Sequence, residues 1–375
     1  MFRYLGLLVL AGCASSGNEV TPLVAAPTDA SPPAQISRIT SALNHSDLPL
    51  LQAAFNPDHP LESFDPSLNH DRSWNSLSKE WIADLVRHGN AGEWQLRSVV
   101  TAEGQSRYEY RLVHGDYSAE FFYLVGAEGE NGIRIYDIGN RLYHYSQVTL
   151  MSELYYRVAV NPSQINPAFE RFFEHLARFN QGQIGSSHIL AAYMEETAEF
   201  QQDRLIKELI LRALMARDDG WMLAMPTAAR ATLIGDDYPL VNAVLCLQNQ
   251  GDDCRAEYQQ LPMDLRGDVS LISEIGIRLL NSDLPLTAQP YVELLTEQKS
   301  EFFPAYWLQL QMAILLQDHQ ATVDSLDKLL QRFNDLPIDQ ELLTQLYPEL
   351  GQQFLQSASF KNWAESHAAR ESNGG

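Results

Sequence analysis

A chain of 375 residues, 45% of them apolar and 10% aromatic, is long enough for two or three domains with cores of their own and too apolar to be generally disordered. Its formal net charge of −22 argues against a nucleic-acid partner, because displacing counterions from phosphates takes a basic stripe. The acidity is spread along the chain with no block of five or more, which reads as a solubilising surface, and adjacent pairs such as Asp236-Asp237 and Asp252-Asp253 lack the spaced ligands, closed by Glu, that calcium needs.

The chain opens on a positive end, Arg3 and the amino terminus, followed by an uncharged apolar run from Tyr4 to Ala11. That run is far short of the roughly 20 residues of a spanning helix and reads as a secretory signal over residues 1–12. Leu10-Ala11-Gly12-Cys13 resembles the lipobox of bacterial lipoproteins. The resemblance implies cleavage before Cys13, lipidation of that cysteine and, since Ala14 and not Asp follows it, an outer-membrane address facing the periplasm. Three acyl chains, at about 0.8 kcal/mol per buried methylene, make a stable anchor. Residues 14–34, with four prolines and no aromatic, read with Cys13 as a disordered tether. It would reach roughly 70 Å stretched and about 25 Å as a coil.

From 35 to 160 the pattern is that of an α+β domain. Ile36, Ile39, Leu43 and then Leu48, Leu51, Phe55 recur at helical spacing, with a break at Ser46-Asp47. A longer helix carries Trp74, Leu77, Trp81 and Leu85 in one stripe and closes at Gly89. The period then changes to two in "EWQLRSVV", "RYEYRLV", "SAEFFYLVG" and "GIRIYDI", separated by turn chemistry, which predicts a four-strand antiparallel meander. This order resembles the nuclear transport factor 2-like fold over roughly 35–145, a cone of helices and sheet. If the face shared by Ile133, Ile135 and Asp137 is interior, Asp137 is an acid among Tyr108, Tyr110 and Phe121, the one candidate catalytic group. The competing reading makes it a turn or amide-capping residue at a strand end. No HExxH, GxSxG or phosphate-binding glycine loop is present, and no two of the ten histidines stand at i, i+4, so the sequence predicts neither enzyme, metal nor cofactor. His114 and His144 read as surface or hydrogen-bonded core residues.

After Asn161 strand signals stop, and amphipathic or apolar segments follow in pairs, predicting an all-α domain over 161–375. Pair starts at Phe169, Asp203, Asp237, Asp268 and Phe302 give steps of 34, 34, 31 and 34. That period resembles the helical solenoid of tetratricopeptide repeats. In the fifth pair Trp307, Leu310 and Ile314 stand where the family's first helix packs, Asp318 stands at the turn usually given to Gly, and Val323 where Ala is preferred. "FLQSASFKNWAES" suits a terminal capping helix, with Trp363 covering the last repeat. Cys246 and Cys254 flank a turn between two such helices, within reach of a disulfide in an oxidising compartment; the alternative is two unpaired thiols. The whole resembles uncharacterised bacterial lipoproteins that join a cone-like region to tetratricopeptide-like repeats. It implies a lipid-anchored envelope scaffold that takes a protein or peptide partner in a repeat groove; the other reading is a small-ligand or isomerase-like site in the cone.

Overall fold

The computed structural model describes residues 34–58, 72–90, 92–102, 104–115, 118–129, 132–157, 167–217, 225–248, 254–281, 285–297, 302–333, 343–344 and 347–373. The expected signal sequence, Cys13 and the tether up to residue 33 lie outside the described residues. The chain forms two compact units, Met1–Leu245 and Cys246–Gly375.

In the first unit, helices α1 (Ala34–Asn44), α2 (Leu48–Ala54) and α3 (Arg72–Gly89) precede a meander of β1 (Gly92–Ala102), β2 (Gln105–His114), β3 (Ala119–Gly129) and β4 (Gly132–Asn140). The four strands pair antiparallel in sequence order. The break between α1 and α2 falls where the sequence places it. Ser46 turns into the left-handed region at φ 56°, and the Asp47 carboxylate accepts from the Leu50 amide at 3.2 Å to start α2. α3 closes at Gly89, which lies so near the Trp94 indole that a Cβ there would stand 2.2 Å from its Nε1. Alternation sends Trp94, Tyr108, Tyr110, Leu112, Phe122, Leu124, Ile133 and Ile135 to the face that packs on α1–α3. On the opposite face guanidinium groups lie over aromatic rings, Arg107 3.8 Å from the Tyr123 centroid and Arg97 5.1 Å from that of Phe121.

Six further helices follow α4 (Gln147–Tyr155): α5 (Pro167–Asn180), α6 (Ser186–Met194), α7 (Ala198–Gln202), α8 (Arg204–Met215), α9 (Thr227–Leu233) and α10 (Pro239–Gln248). α8 packs against α4, α5, α6 and α7 and is covered on nearly every side, with Leu205, Ile206 and all residues from Glu208 to Leu214 buried. One continuous apolar cluster runs from Ile36 through the sheet to Leu245. The boundary expected at 160 therefore falls inside this unit, in the stretch 158–166 outside the described residues, and the helices that follow share the sheet's core.

Two charges sit in that core. Glu208 is 0% and Arg212 2% exposed. Glu208 accepts from Arg212 Nε at 3.1 Å and Nη2 at 3.0 Å, from the His144 and Tyr145 amides at 3.0 and 3.2 Å, and from the Tyr238 hydroxyl at 3.3 Å. Arg212 donates onward to the Tyr145 carbonyl and to Gln147 Oε1, and lies 4.7 Å from the centre of the Tyr143 ring. The turn between β4 and α4 is thus held to α8 through its 144 and 145 amides and its 145 carbonyl.

The second unit holds α11 (Arg255–Gln260), α12 (Met263–Arg266), α13 (Val269–Asn281), α14 (Pro285–Glu297), α15 (Phe303–Leu315), α16 (His319–Arg332), α17 (Pro348–Gln356) and α18 (Ala358–Asn373). α13 packs on α14, α15 on α16 and α17 on α18; α13 also meets α15, and α15 meets α17. At the α15–α16 turn the left-handed residue is Gln317 (φ 56°), not Asp318. Asp318 caps α16 instead, accepting from the Ala321 amide at 3.0 Å. The expected single terminal helix is two, divided at Ser357, whose backbone is extended and whose hydroxyl accepts from the Phe360 amide at 3.1 Å. No helix among the described residues is long and apolar enough to cross a membrane.

Removing one partner of a buried, hydrogen-bonded ion pair leaves the other charge uncompensated. Glu208→Leu and Arg212→Met are each expected to cost about 3–5 kcal/mol in urea unfolding. The double variant is expected to cost less than their sum, with a coupling of about 1 kcal/mol or more.

Candidate functional site

Asp137 is not where strict alternation places it. β3 and β4 slip register between Val125 and Gly126, so that Gly126 faces Ile135 while Val125 faces Asp137, and Tyr136 is the extra residue. Gly126 allows the slip, since a Cβ there would stand 2.5 Å from the Arg134 carbonyl oxygen. The core-facing series passes from Ile135 to Ile138, and Asp137 leaves the face that carries Tyr108 and Tyr110. Phe121 also lies off that face, opposite Arg111. The expected pocket of Asp137 among Tyr108, Tyr110 and Phe121 is therefore not formed.

Instead the Asp137 carboxylate organises the start of α4. Oδ1 accepts from the Ile138 and Val148 amides at 2.8 and 2.9 Å, and Oδ2 accepts from the Ser146 hydroxyl and, at 3.3 Å, that of Thr149. Burial pushes its pKa up to about 6, against the downward pull of those four donors. Asp137→Ala strands four donors and is expected to cost about 2–4 kcal/mol by urea unfolding. Asp137→Asn keeps Oδ1 for both amides and presents Nδ2 to two hydroxyls that can turn to accept, for a cost under about 1 kcal/mol. Because the folded carboxyl holds its proton more tightly than the unfolded one, near 3.9, the wild-type chain has this contribution in full below about pH 4 and loses it as pH rises through about 6. The Asn variant is expected to lack that component of the stability–pH curve.

Cys246 and Cys254 lie within bonding distance, their sulfurs at 2.15 Å and their Cα atoms 5.7 Å apart, and both are buried. The turn between them, 249–253, is outside the described residues. A bond closing so short a loop stabilises by roughly 2–3 kcal/mol. Mass spectrometry of the native protein after alkylation is expected to find neither cysteine labelled until a reductant is added.

One constellation was missed in the sequence. His88 lies in the last turn of α3, His114 at the end of β2 and Glu120 at the start of β3. The fold converges them: His88 Nε2 is 2.9 Å from both Glu120 oxygens, and His114 Nε2 is 2.8 Å from Glu120 Oε1. The side chains of His88, His114 and Glu120 are 51%, 21% and 30% exposed, so the group stands at the rim of the sheet, open to water on the α3 side. Hydrogen bonding to Glu120 raises the His88 pKa against burial. Burial alone would raise the Glu120 carboxyl, but the bonds and charges of His88 and His114 outweigh it and hold the group below its ordinary range. The i, i+4 rule concerns two histidines on one helix; here a helix and a hairpin bring the histidines together, which spacing along the chain does not reveal. His144, by contrast, packs at a tilt against Tyr238, with ring centroids 4.5 Å apart, and its pKa is lowered by burial.

In the second unit Leu310, Ile314 and Val323 are buried in one apolar cluster with Leu326, Leu329 and Phe354, and Trp307 packs half-buried against it. Trp363 bonds Asp327 Oδ1 through its indole nitrogen at 2.5 Å, tying α18 to α16.

No family model matches the sequence, and no curated protein or solved structure matches it either.

Proposed function

We propose that this chain is a lipid-anchored scaffold or adaptor of the bacterial cell envelope, held in the outer membrane through Cys13 and facing the periplasm, that docks a protein or peptide on its helical hairpins. The observation that carries the reading is the packing order of the second unit. The first helices of successive hairpins meet, α13 with α15 and α15 with α17, while α14, α16 and α18 pack on the first helix of their own hairpin. Nearest-neighbour stacking of this kind is what a tetratricopeptide-like solenoid is built from, and it lines up first helices as a surface for an extended segment or a partner's helix. The starts of α13 at Val269 and α15 at Phe303 keep the repeat step read in the sequence. The nuclear transport factor 2-like reading of residues 35–145 has the support of the helix order and the antiparallel meander.

The test is photo-crosslinking in cells, with the reactive residue placed on partly or fully exposed positions of the first helices, Ile277, Gln309 and Gln353, and, for comparison, at exposed Gln105 at the start of β2. The expected result is one envelope protein captured from two or more of the helical positions and not from Gln105. Capture of the same protein only from Gln105, or of nothing from any helical position, overturns the docking reading.

A further inference from the structure

We propose that His88, His114 and Glu120 form a binding site for a divalent transition-metal ion of the zinc class. Two imidazoles and a carboxylate are the donor set that zinc and its neighbours take, and calcium or magnesium would prefer oxygen alone. The three ligand atoms already lie within 4.8 Å of one another. Both rings offer the same nitrogen, Nε2, to the same carboxylate, and the two rings stand at 90° with centroids 6.3 Å apart, so both nitrogens reach one point without the rings colliding. An ion bound at 2.0–2.2 Å to each ligand in tetrahedral geometry sets them roughly 3.3 Å apart. Exchanging the bridging protons for the ion therefore asks the 2.8 and 2.9 Å contacts to open by only about 0.5 Å.

The scaffold favours this use. Glu120 pairs with Leu112 across the β2–β3 ladder, and His114 pairs with Gly92 of β1 while its amide donates to the Ser118 carbonyl at 2.9 Å. Two of the three ligands thus sit on paired backbone. The third comes from a helix terminus whose His88 ring is braced edge-on by Phe122, with centroids 5.9 Å apart. As an ion pair alone, a carboxylate this exposed contributes about 0–1 kcal/mol, and a second imidazole adds little to what the first supplies. Three protein ligands with a water-facing side leave a fourth position for solvent or an incoming group, the arrangement of an open site rather than a closed structural one. The site lies in the first unit and does not rest on the docking reading, so either can fail without the other.

The experiment uses the purified full chain stripped with a chelator. Cobalt(II) is expected to give tetrahedral visible absorption at one ion per chain, displaced by zinc. His88→Gln, His114→Gln and Glu120→Gln are each expected to weaken zinc binding in calorimetry about tenfold or more, while His175→Gln, remote in sequence on α5, leaves it unchanged. Histidine NMR of the wild-type chain gives a reading that does not depend on the variants folding: zinc should shift two imidazole Nε2 signals together. Absence of cobalt absorption and of zinc heat, binding that survives all three substitutions, or zinc that shifts no pair of imidazoles would each overturn the site.

Discussion

The junction between the sheet and the helices that follow it is arranged around a carboxylate and a guanidinium that water does not reach. Glu208 and Arg212 stand one turn apart on α8, and their cost of desolvation is offset because they fill their remaining hydrogen-bonding capacity with the turn that joins β4 to α4 and, for Glu208, with the Tyr238 hydroxyl. That turn has little regular backbone pairing of its own. Its amides at 144 and 145 and its carbonyl at 145 are met by α8 side chains, and the Tyr143 ring lies against the guanidinium. From that fixed point α4 starts in the one place where its first amides and hydroxyls meet Asp137. Two carboxylates, one from a helix and one from a strand, therefore determine how sheet and helices share one core.

Much of the fold was legible along the chain, and the reasons for the exceptions are physical. Period-two alternation located all four strands, because one face of each packs on helices. It misplaced Asp137 because a bulge at Tyr136 breaks the parity, and the bulge depends on Gly126 meeting the Arg134 carbonyl on a neighbouring strand. Glu208 and Arg212 in "DRLIKELILRALMARDD" look like the i, i+4 pair of a solvent-facing stripe. Only the wrapping of α8 by four other helices shows that they are interior. The histidine–glutamate group has the same character: Glu120 follows His114 closely, but His88 arrives from a helix whose end is positioned by Gly89 against Trp94. Local chemistry fared better where the determinant was local. The Ser46–Asp47 break is written in one capping side chain, whereas the α15–α16 turn exchanges the roles expected of its residues, Gln317 taking the left-handed backbone and Asp318 the cap.

In the second unit the close approach of α13 and α15 has a specific cause. A Cβ on Gly276 would stand 2.4 Å from Leu308 Cδ2, and Leu308 is itself fully buried, so it has no free space to retreat into. Glycine in mid-helix costs roughly 1 kcal/mol relative to alanine. Here that cost allows the first helices of successive hairpins to pack close enough for Leu308 to fill the space between them. Val323, on the helix behind, is buried in a separate cluster with Leu310, Ile314, Leu326, Leu329 and Phe354, against which Trp307 packs.

Net charge bears on how such a chain would work on a membrane. On the proposed anchoring, an acidic body carrying about twenty excess negative charges is repelled by anionic lipid headgroups over roughly a Debye length, about 8 Å at physiological salt. The proline-rich stretch 14–34, if it serves as the tether its composition suggests, would have far more reach than that. If that anchoring holds, repulsion and tether would act in the same direction, away from the bilayer surface. The same field favours approach by a basic partner over an acidic one and speeds its encounter without adding a contact. A divalent cation feels it too, and the one cluster among the described residues where two imidazoles and a carboxylate converge lies at the rim of the sheet, with the His88 side chain half exposed to solvent.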